Sequence, residues 1–278
     1  MKIFNWEISS LLLILIAIVA VGFFYTNISL GQKIDAQSTS QAFSSNINNI
    51  GQSVVLIDSI YANPSNSATS CDFQGTGFFI TTDGYILTTG HNVDNNDQEH
   101  SPCSGYPVQI QATLQNGTVL TAKLFNPSLN NLDLGVIKAN GTFMKANLMS
   151  SNSVVKAGEQ IGLIGYPLGF AKQAVSNGIV SFYGFENGVL TLRINSFTSA
   201  GDSGSPIFLS NTGEVIGVFE KSFIGNIPVI NATGAPSTDA QYIVNTLGQY
   251  VLQVAQKTSQ TGVGTAVPVD SSILSELK

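Results

Sequence analysis

Charge is scarce in this chain. Only 10% of the 278 residues are charged, and 17 acidic against 11 basic residues give a formal net charge of −6. The basic residues form no cluster, which argues against a phosphate-binding surface and a nucleic-acid partner. No EF-hand pattern is present, so we expect Asp94, Asp97 and Glu99 to form a solvated acidic loop and not a metal site. No metal and no cofactor are expected.

Cysteine is equally scarce, with two residues, Cys71 and Cys103. In a protein outside the cytoplasm, an even number of cysteines favours disulfide pairing, here one bridge around His91. Two free thiols remain the alternative, because sequence spacing alone does not determine whether the geometry of a bridge is met.

The amino terminus carries the one long apolar run, Leu11 to Tyr25, and no charge occurs between Ile8 and Gln32. About 20 such residues can cross a bilayer, and Lys2 favours the cytoplasmic side for the first residues. Residues 1–29 are therefore predicted to be a membrane anchor or, alternatively, a cleaved signal peptide, with the rest of the chain outside the cytoplasm. Residues 30–46, rich in Gln, Ser and Asn, are predicted to be a linker.

The segment Gly201-Asp202-Ser203-Gly204-Ser205-Pro206 carries the strongest chemical signal. Small residues allow a sharp turn in which the amides of Gly201 and Ser203 point at one spot, where the oxyanion of a tetrahedral intermediate would be bound. The segment lacks the Gly-x-Ser-x-Gly pattern of the α/β-hydrolase elbow, because position 205 is serine.

A histidine and an aspartate precede this serine. His91 follows an apolar run that ends at Leu87, and Asp133 immediately precedes the β-prone run Leu134 to Ile137. Both side chains are thus predicted to lie at strand ends, where a sheet can hold them. The order His, Asp, Ser is that of chymotrypsin and differs from that of the α/β-hydrolases.

Turn residues indicate an all-β fold. Asp83-Gly84, Asn116-Gly117 and Asn187-Gly188 each stand between two apolar runs and predict three β-hairpins. Between residues 239 and 256 the period changes, and apolar residues recur at the spacing of a helix: Ile243, Leu247, Tyr250, Val251 and Val254.

These motifs resemble those of trypsin-like serine peptidases, and most closely the HtrA-type branch. The resemblance covers roughly residues 47–256 and is carried by Ser53–Ile57, Gly75–Val93, Val155–Gly169 with Asn177–Ser181, and Gly201–Val218. It implies two six-stranded antiparallel β-barrels, at about 47–148 and 154–236, and a closing helix at 239–256. Residues 257–278 are expected to be a flexible tail that holds no further module such as a PDZ domain.

The function expected from these residues is peptide hydrolysis. His91 would be the general base, Asp133 would orient it, Ser203 would be the nucleophile, and the amides of Gly201 and Ser203 would form the oxyanion hole. Partners would be protein or peptide substrates, together with the membrane through the amino-terminal segment; the oligomeric state is left open. The alternative is a catalytically silent relative that binds peptides in the same cleft.

Two positions depart from the family pattern. Position 205 is serine where the family usually has glycine. Asp202 stands where trypsin-like zymogens carry an aspartate that pairs with a new amino terminus, but no activation sequence precedes Val54. HtrA-type members usually carry asparagine at this position. Asp202 must therefore have another partner.

The substrate pocket is predicted from the segment before the nucleophile. The resemblance places Phe197 where trypsin carries its aspartate, and Phe219 and Glu220 on a strand that forms one pocket wall. No acid occurs between Arg193 and Gly201, so a buried Lys or Arg would lack a countercharge, and small or medium apolar residues are expected. Alternatively, Phe197 points into the barrel core.

Overall fold

The computed structural model describes residues 40–63, 70–94, 103, 105–129, 132–222 and 264–277. The chain divides into two compact units, Met1–Ser44 and Ser45–Lys278. Of the first unit, residues 40–44 are described, and they are helical; helix α1 runs over residues 40–51. The β-structure belongs to the second unit.

Twelve strands of the described residues close into two six-stranded antiparallel barrels, which confirms the predicted architecture. The first barrel has the order β1-β2-β3-β6-β5-β4, and the second has the order β10-β11-β12-β9-β8-β7. The first comprises β1 (Val54–Tyr61), β2 (Cys71–Phe79), β3 (Tyr85–Thr88), β4 (Val108–Thr113), β5 (Val119–Asn126) and β6 (Gly135–Ala139). The second comprises β7 (Gln160–Gly165), β8 (Ala174–Glu186), β9 (Val189–Ser196), β10 (Pro206–Leu209), β11 (Val215–Ser222) and β12 (Gly264–Pro268). Short 3₁₀ turns occur at Gly90–Asn92, Pro167–Gly169 and Ser271–Leu277.

The three predicted hairpins are present, joining β2 to β3, β4 to β5 and β8 to β9. In the last, both Asn187 and Gly188 have positive φ angles, 52° and 82°. Positive φ at both central residues matches the right-handed twist of the flanking strands, which is why asparagine followed by glycine favours this turn.

Each barrel has its own core, formed by the inward-facing residues that alternate with outward-facing ones along its strands. In the first, Val55, Ile57, Phe79, Ile86 and Ile137 are buried together. In the second, the buried residues include Ile161, Leu163, Val180, Leu192, Ile194, Ile207 and Phe219. The strands that carry the candidate site are therefore each fixed by the packed core of their own barrel.

The end of the chain corrects one prediction. Residues 264–277 are not a flexible tail, because β12 pairs with β11 on one side and with β9 on the other and closes the second barrel. The barrel therefore extends past the predicted limit at residue 236. The order of this short run comes from pairing with distant strands, which local sequence does not reveal. The predicted closing helix, 239–256, lies outside the described residues, in the connection from β11 to β12.

The amino-terminal side corrects a second prediction. Residues 40–46, assigned to the linker, belong to α1. Within the second unit, the side-chain amide of Asn46 donates to the carbonyl of Ser210, 3.1 Å away. Among the described residues, no helix is long and apolar enough to cross a membrane; the predicted anchor, residues 1–29, lies outside them.

Candidate active site

His91 lies directly after β3, in the 3₁₀ turn Gly90–Asn92. A Cβ added at Gly90 would stand 2.9 Å from Oδ1 of Asp133 and 2.9 Å from the carbonyl oxygen of Pro127. Only glycine allows the turn to approach Asp133 this closely. The end of β3 thereby holds His91 against the loop that precedes β6.

Asp133 binds His91 through both of its carboxylate oxygens. The His91 backbone N–H donates to Oδ1 at 2.8 Å, and ring Nδ1 lies 2.7 Å from Oδ2. With the proton of a neutral imidazole on Nδ1, Nε2 becomes the acceptor. The hydroxyl oxygen of Thr89 lies 3.4 Å from Nε2. The arrangement selects one tautomer and one ring orientation.

The charge of Asp133 is stabilised by the same contacts. Burial by itself raises the pKa of this carboxyl, but hydrogen bonds from the His91 ring and backbone, with the positive charges of His91 and Lys221, bring the pKa below its ordinary value of 3.8. Asp133 is therefore ionised at neutral pH and favours a positive charge on the His91 ring.

Ser203 lies in a loop before β10 in which the carbonyl groups of residues 200–203 are held by donors. The carbonyl of Ala200 accepts from the N–H of Leu168 at 2.5 Å, and that of Asp202 accepts from the N–H of Ser205 at 2.9 Å. Thr76 Oγ1 donates to the carbonyl of Gly201 at 2.8 Å.

The Ser203 carbonyl receives two hydrogen bonds. They come from the Thr76 N–H and from Asn92 Nδ2, each at 2.8 Å. In a trans peptide the N–H points opposite to the preceding carbonyl. Holding the carbonyls of Ala200 and Asp202 therefore sets the directions of the Gly201 and Ser203 amides.

Thr76 and Asn92 were missed by sequence reasoning, because the contacts that identify them join distant parts of the chain. Thr76 stands between two glycines, and a Cβ added at Gly75 would collide with the Asn92 amide. Asn92 is buried beside His91, and its Nδ2 also donates to Thr88 Oγ1 at 2.9 Å. The sequence shows only that Thr76 stands between two glycines and that Asn92 follows His91; their contacts appear in the structure alone.

The Ser203 hydroxyl donates to the backbone carbonyl of Glu220, at 3.0 Å. Glu220 lies in a β-bulge, since the pairing of β11 with β12 shifts register between Phe219 and Lys221. A bulge leaves its extra residue unpaired and redirects it. Here that redirected carbonyl is the partner of the predicted nucleophile.

Asp202, which had no partner in the sequence, has one in the structure. Its side chain is buried, and Oδ2 accepts from the Ser199 N–H at 2.8 Å and lies 3.4 Å from the Ser199 hydroxyl. Burial raises the pKa of Asp202 to about 6, against the lowering effect of these two hydrogen bonds.

Ser205 is accommodated by a glycine on the facing strand. Its side chain is fully buried, and among the described residues its Oγ has no hydrogen-bond partner. A Cβ added at Gly165 would collide with this Oγ and would stand 2.5 Å from Oδ1 of Asp202. Gly165 thus provides the space for the serine that replaces the usual glycine at position 205.

The predicted pocket residues differ in exposure. Phe197 is 59% exposed, so it does not point into the barrel core, and this alternative is wrong. Phe219 is 1% exposed and packs in the core of the second barrel, and its assignment to the substrate pocket stays a prediction. The Glu220 carboxylate pairs with Lys221 Nζ at 2.8 Å. Thr198 is buried, and its hydroxyl lies 2.7 Å from that of Ser222.

Cys71 and Cys103 form a disulfide, with Cα atoms 6.0 Å apart, which confirms the predicted pairing. The bridge ties the start of β2 to a residue beyond His91 in sequence. Within the described part of the chain, no group of three or more His, Cys, Asp or Glu side chains could hold a metal ion.

Comparison with known proteins yields one family. Residues 75–218 match the trypsin-like peptidase domain. A probable periplasmic serine endoprotease, DegP-like, from Pseudomonas savastanoi pv. phaseolicola is 31% identical over 153 residues, which cover 54% of this chain and 29% of the relative. The corresponding DegP-like protein of Brucella suis is 32% identical over 183 residues, covering 63% and 33%. The chain thus spans about a third of the length of these relatives.

Two solved structures share the fold. An HtrA-type protease with a bound tripeptide superimposes with a TM-score of 0.58 at 17% identity, covering 84% of this chain and 61% of that chain. An HtrA-type protease with a decapeptide gives a TM-score of 0.55 at 17% identity, covering 81% and 63%. The profile match extends from the strand that carries Thr76, through His91 and Asp133, to Ser203 and β11. The chain therefore belongs to the trypsin-like peptidase family.

Proposed function

We propose that this protein is a serine endopeptidase in which His91, Asp133 and Ser203 form the catalytic triad. The observation that carries the proposal is the double hydrogen bond between Asp133 and His91, beside a serine whose flanking peptide groups are held in place. A fixed tautomer is what a general base requires, whereas a purely structural histidine does not require one, so this contact favours a catalytic role for His91.

Hydrolysis follows from this geometry. Ser203 Oγ attacks the carbonyl carbon of the scissile bond, and its proton passes to His91 Nε2. The carbonyl oxygen becomes an oxyanion that accepts from the amides of Gly201 and Ser203. Collapse breaks the C–N bond, the leaving amine takes the proton from His91, and an ester remains on Ser203. Water then repeats the sequence with His91 as base, which releases the acid and restores Ser203.

In the substrate-free protein the nucleophile is turned toward the Glu220 carbonyl. In the proposed reaction the hydroxyl leaves this hydrogen bond by rotation about the Cα–Cβ bond of Ser203, and such rotations of a serine are fast. This resting hydrogen bond is also the observation that favours the second candidate function, a silent relative that binds peptides in the cleft.

Covalent labelling separates these two functions. A fluorophosphonate reacts with an activated serine, losing fluoride as the phosphorus–oxygen bond forms. We expect the wild-type protein to be labelled on Ser203 and Ser203→Ala to remain unlabelled. A folded wild-type protein that takes up no probe would support the silent, peptide-binding alternative.

The substrate class proposed is polypeptide with a small or medium apolar residue before the scissile bond. Phe197, which is predicted to line the pocket, is exposed, and Glu220, the acid predicted beside it, is paired with Lys221, so the predicted pocket residues offer a buried cation no unpaired carboxylate. In a peptide library, Phe197→Ala should admit larger apolar residues, whereas Phe185→Ala, which alters an exposed phenylalanine on β8, should not. Dominant cleavage after Lys or Arg would contradict this pocket.

The proposed location is outside the cytoplasm. A disulfide persists in oxidising compartments, and the DegP-like relatives are described as periplasmic. Residues 1–29 would be an anchor or a cleaved signal peptide. Added protease should reach the catalytic part in intact cells. A protected catalytic part would exclude this location, and a soluble form that starts near Phe23 would favour cleavage.

A further inference from the structure

Asp202 stands between the two residues whose amides would bind the oxyanion. Its carboxylate accepts the Ser199 N–H at 2.8 Å, while its own backbone N–H donates to the Ser199 carbonyl at 3.1 Å. These two hydrogen bonds run in opposite directions and close residues 199–202 into a ring. Gly201, with φ of 92°, lies inside that ring.

The ring restricts the peptide groups that precede Gly201 and Ser203. A Cβ on Gly201 would stand 2.5 Å from the carbonyl oxygen of Tyr166, so the turn is packed directly against the end of β7. Loss of the Asp202 contact would leave the turn with the Ser199–Asp202 backbone bond and the external donors. The carboxylate is therefore part of what sets the amide directions.

The surroundings of Asp202 offer its negative charge little compensation. Asp202 is 4% exposed, and among the described residues the hydrogen bonds that affect its pKa come from Ser199. Of the strands that contact its loop, β7 and β10 carry no charged residue, β2 carries Asp72, four positions from Thr76, and β11 carries Glu220 and Lys221, which pair with each other. Tyr166, the titratable residue after β7, has its hydroxyl hydrogen-bonded to Gln173 Nε2 at 3.2 Å.

We propose that the Asp202 carboxylate is a positioning group that keeps the Gly201 and Ser203 amides aimed at one point, and that proton uptake by this carboxyl disables the site as the pH falls. The proposal rests on the proposed function. An ionised acceptor forms a stronger hydrogen bond than a neutral one, so protonation of Asp202 weakens its hydrogen bond with the Ser199 N–H. The pKa of about 6 places this change just below neutral pH.

The consequence is that two protonations, of the histidine and of Asp202, would lower the rate as the pH falls. Histidine ordinarily titrates near pH 6.5, and an active site needs its base neutral. If Asp202 must also be ionised, two protons are bound as the protein is acidified. The logarithm of the rate should then approach a slope of 2 against pH, whereas histidine alone gives a slope of 1.

The test is the second-order rate constant of Ser203 labelling by a fluorophosphonate, measured on the full chain from pH 4.5 to 9. We expect a slope of 2 for the wild-type protein. Asp202→Asn cannot ionise and offers Ser199 only a neutral acceptor, so it should react more slowly than the wild type at pH 8 and show a slope of 1. At pH 8, Asp202→Ala should react at least about tenfold more slowly than the wild type. Asp83→Asn, which removes an exposed carboxylate on the β2–β3 turn, should keep the slope of 2.

The outcomes are distinguishable. Labelling of Ser203 with a wild-type slope of 1, or a slope of 2 retained in Asp202→Asn, overturns this inference and leaves the proposed function standing. No labelling of the folded wild-type protein overturns both. If Asp202→Ala does not fold, the slopes of the wild type and of Asp202→Asn still decide.

Discussion

The two barrels contribute to the candidate site by different means. The first supplies side chains, because His91 and Asp133 are joined directly by two hydrogen bonds. The second supplies the Ser203 hydroxyl and, around it, backbone, since the direction of the peptide groups in the Ser203 loop decides where their amides point. That loop is nevertheless held by Thr76 and Asn92, which come from the first barrel.

This difference predicts how substitutions in each barrel would impair the site. Chemistry in the first half depends on a few functional groups, so removing one group removes the function. The conformation of the Ser203 loop depends on many contacts of about 1 kcal/mol each, so losing one contact should lower activity only partly. The site as a whole requires the barrels to be docked, because donors of one hold carbonyls of the other.

The largest effect is expected from the functional groups themselves. Ser203→Ala, His91→Ala and Asp133→Asn should each lower peptidase activity on the order of 10⁴-fold or more, while the fold is kept. Because the three act as one unit, the double variant Ser203→Ala with His91→Ala should be no slower than the worse single variant. Rates on a denatured protein substrate, with circular dichroism as the folding control, measure this; additive losses would contradict a shared mechanism.

The disulfide should affect the first barrel and leave the second unchanged. It closes a loop of 32 residues, and replacing Cys71 and Cys103 together by serine should lower the free energy of unfolding by about 3–4 kcal/mol. Chemical denaturation of wild-type and variant protein gives the difference. Hydrogen exchange should become faster in β2 and unchanged in β8; a uniform loss of protection would indicate that the barrels unfold as one unit.

Asp202 and Asp83 should respond to pH with opposite signs. The folded pKa of Asp202 is raised from 3.8 to about 6, so the folded state binds the proton more readily, and stability falls as the pH rises between these values. At pH 8, Asp202→Asn should therefore be more stable than the wild type by up to about 3 kcal/mol, with the gain vanishing near pH 4.

For Asp83, the hydrogen bond to Lys138 lowers the pKa. A carboxyl whose pKa is lowered in the folded state adds stability at pH values above its unfolded pKa. This stability is lost as the pH falls through the folded pKa. Asp83→Asn should accordingly reduce stability at pH 8, by a small amount because the carboxylate is exposed. Urea unfolding at a series of pH values measures both variants; equal signs would contradict the assigned environments.

An effect on activity smaller than that of the triad variants is expected from the space beside Ser205. Gly165→Ala would press a methyl group against Asp202 Oδ1 and Ser205 Oγ, at a cost of about 1–3 kcal/mol. Activity should fall roughly 10- to 100-fold, since the displaced atoms belong to the Ser203 loop. Gly184→Ala is the matched control, because its Cβ would stand 3.2 Å from the partly exposed Phe182 ring, on β8. Equal activity of the two variants would mean that the loop tolerates the shift.

Much of the candidate site can be predicted from short stretches of sequence. The order of His91, Asp133 and Ser203, their positions at strand ends and the small residues around the serine are local patterns. Turn pairs such as Asn187-Gly188 likewise predict hairpins, because the positive φ angles they require are a property of two residues.

The remaining features depend on contacts between residues far apart in the chain or on the exact conformation of a turn. The Asp202–Ser199 hydrogen bond requires one particular turn. The outward direction of Phe197 depends on a strand phase that a shift of one residue would reverse.

Sequence by itself therefore determined that this chain forms two antiparallel barrels of the trypsin-like kind and which three side chains are candidates for catalysis. Tertiary structure alone decided that residues 264–268 complete the second barrel, that Gly165 makes room for Ser205, and that Thr76 and Asn92 hold the nucleophile loop. The physical reason is the distance along the chain over which each effect acts. Turn preference and period-two patterning act over a few residues, whereas strand pairing and the burial of a carboxylate depend on distant parts of the chain.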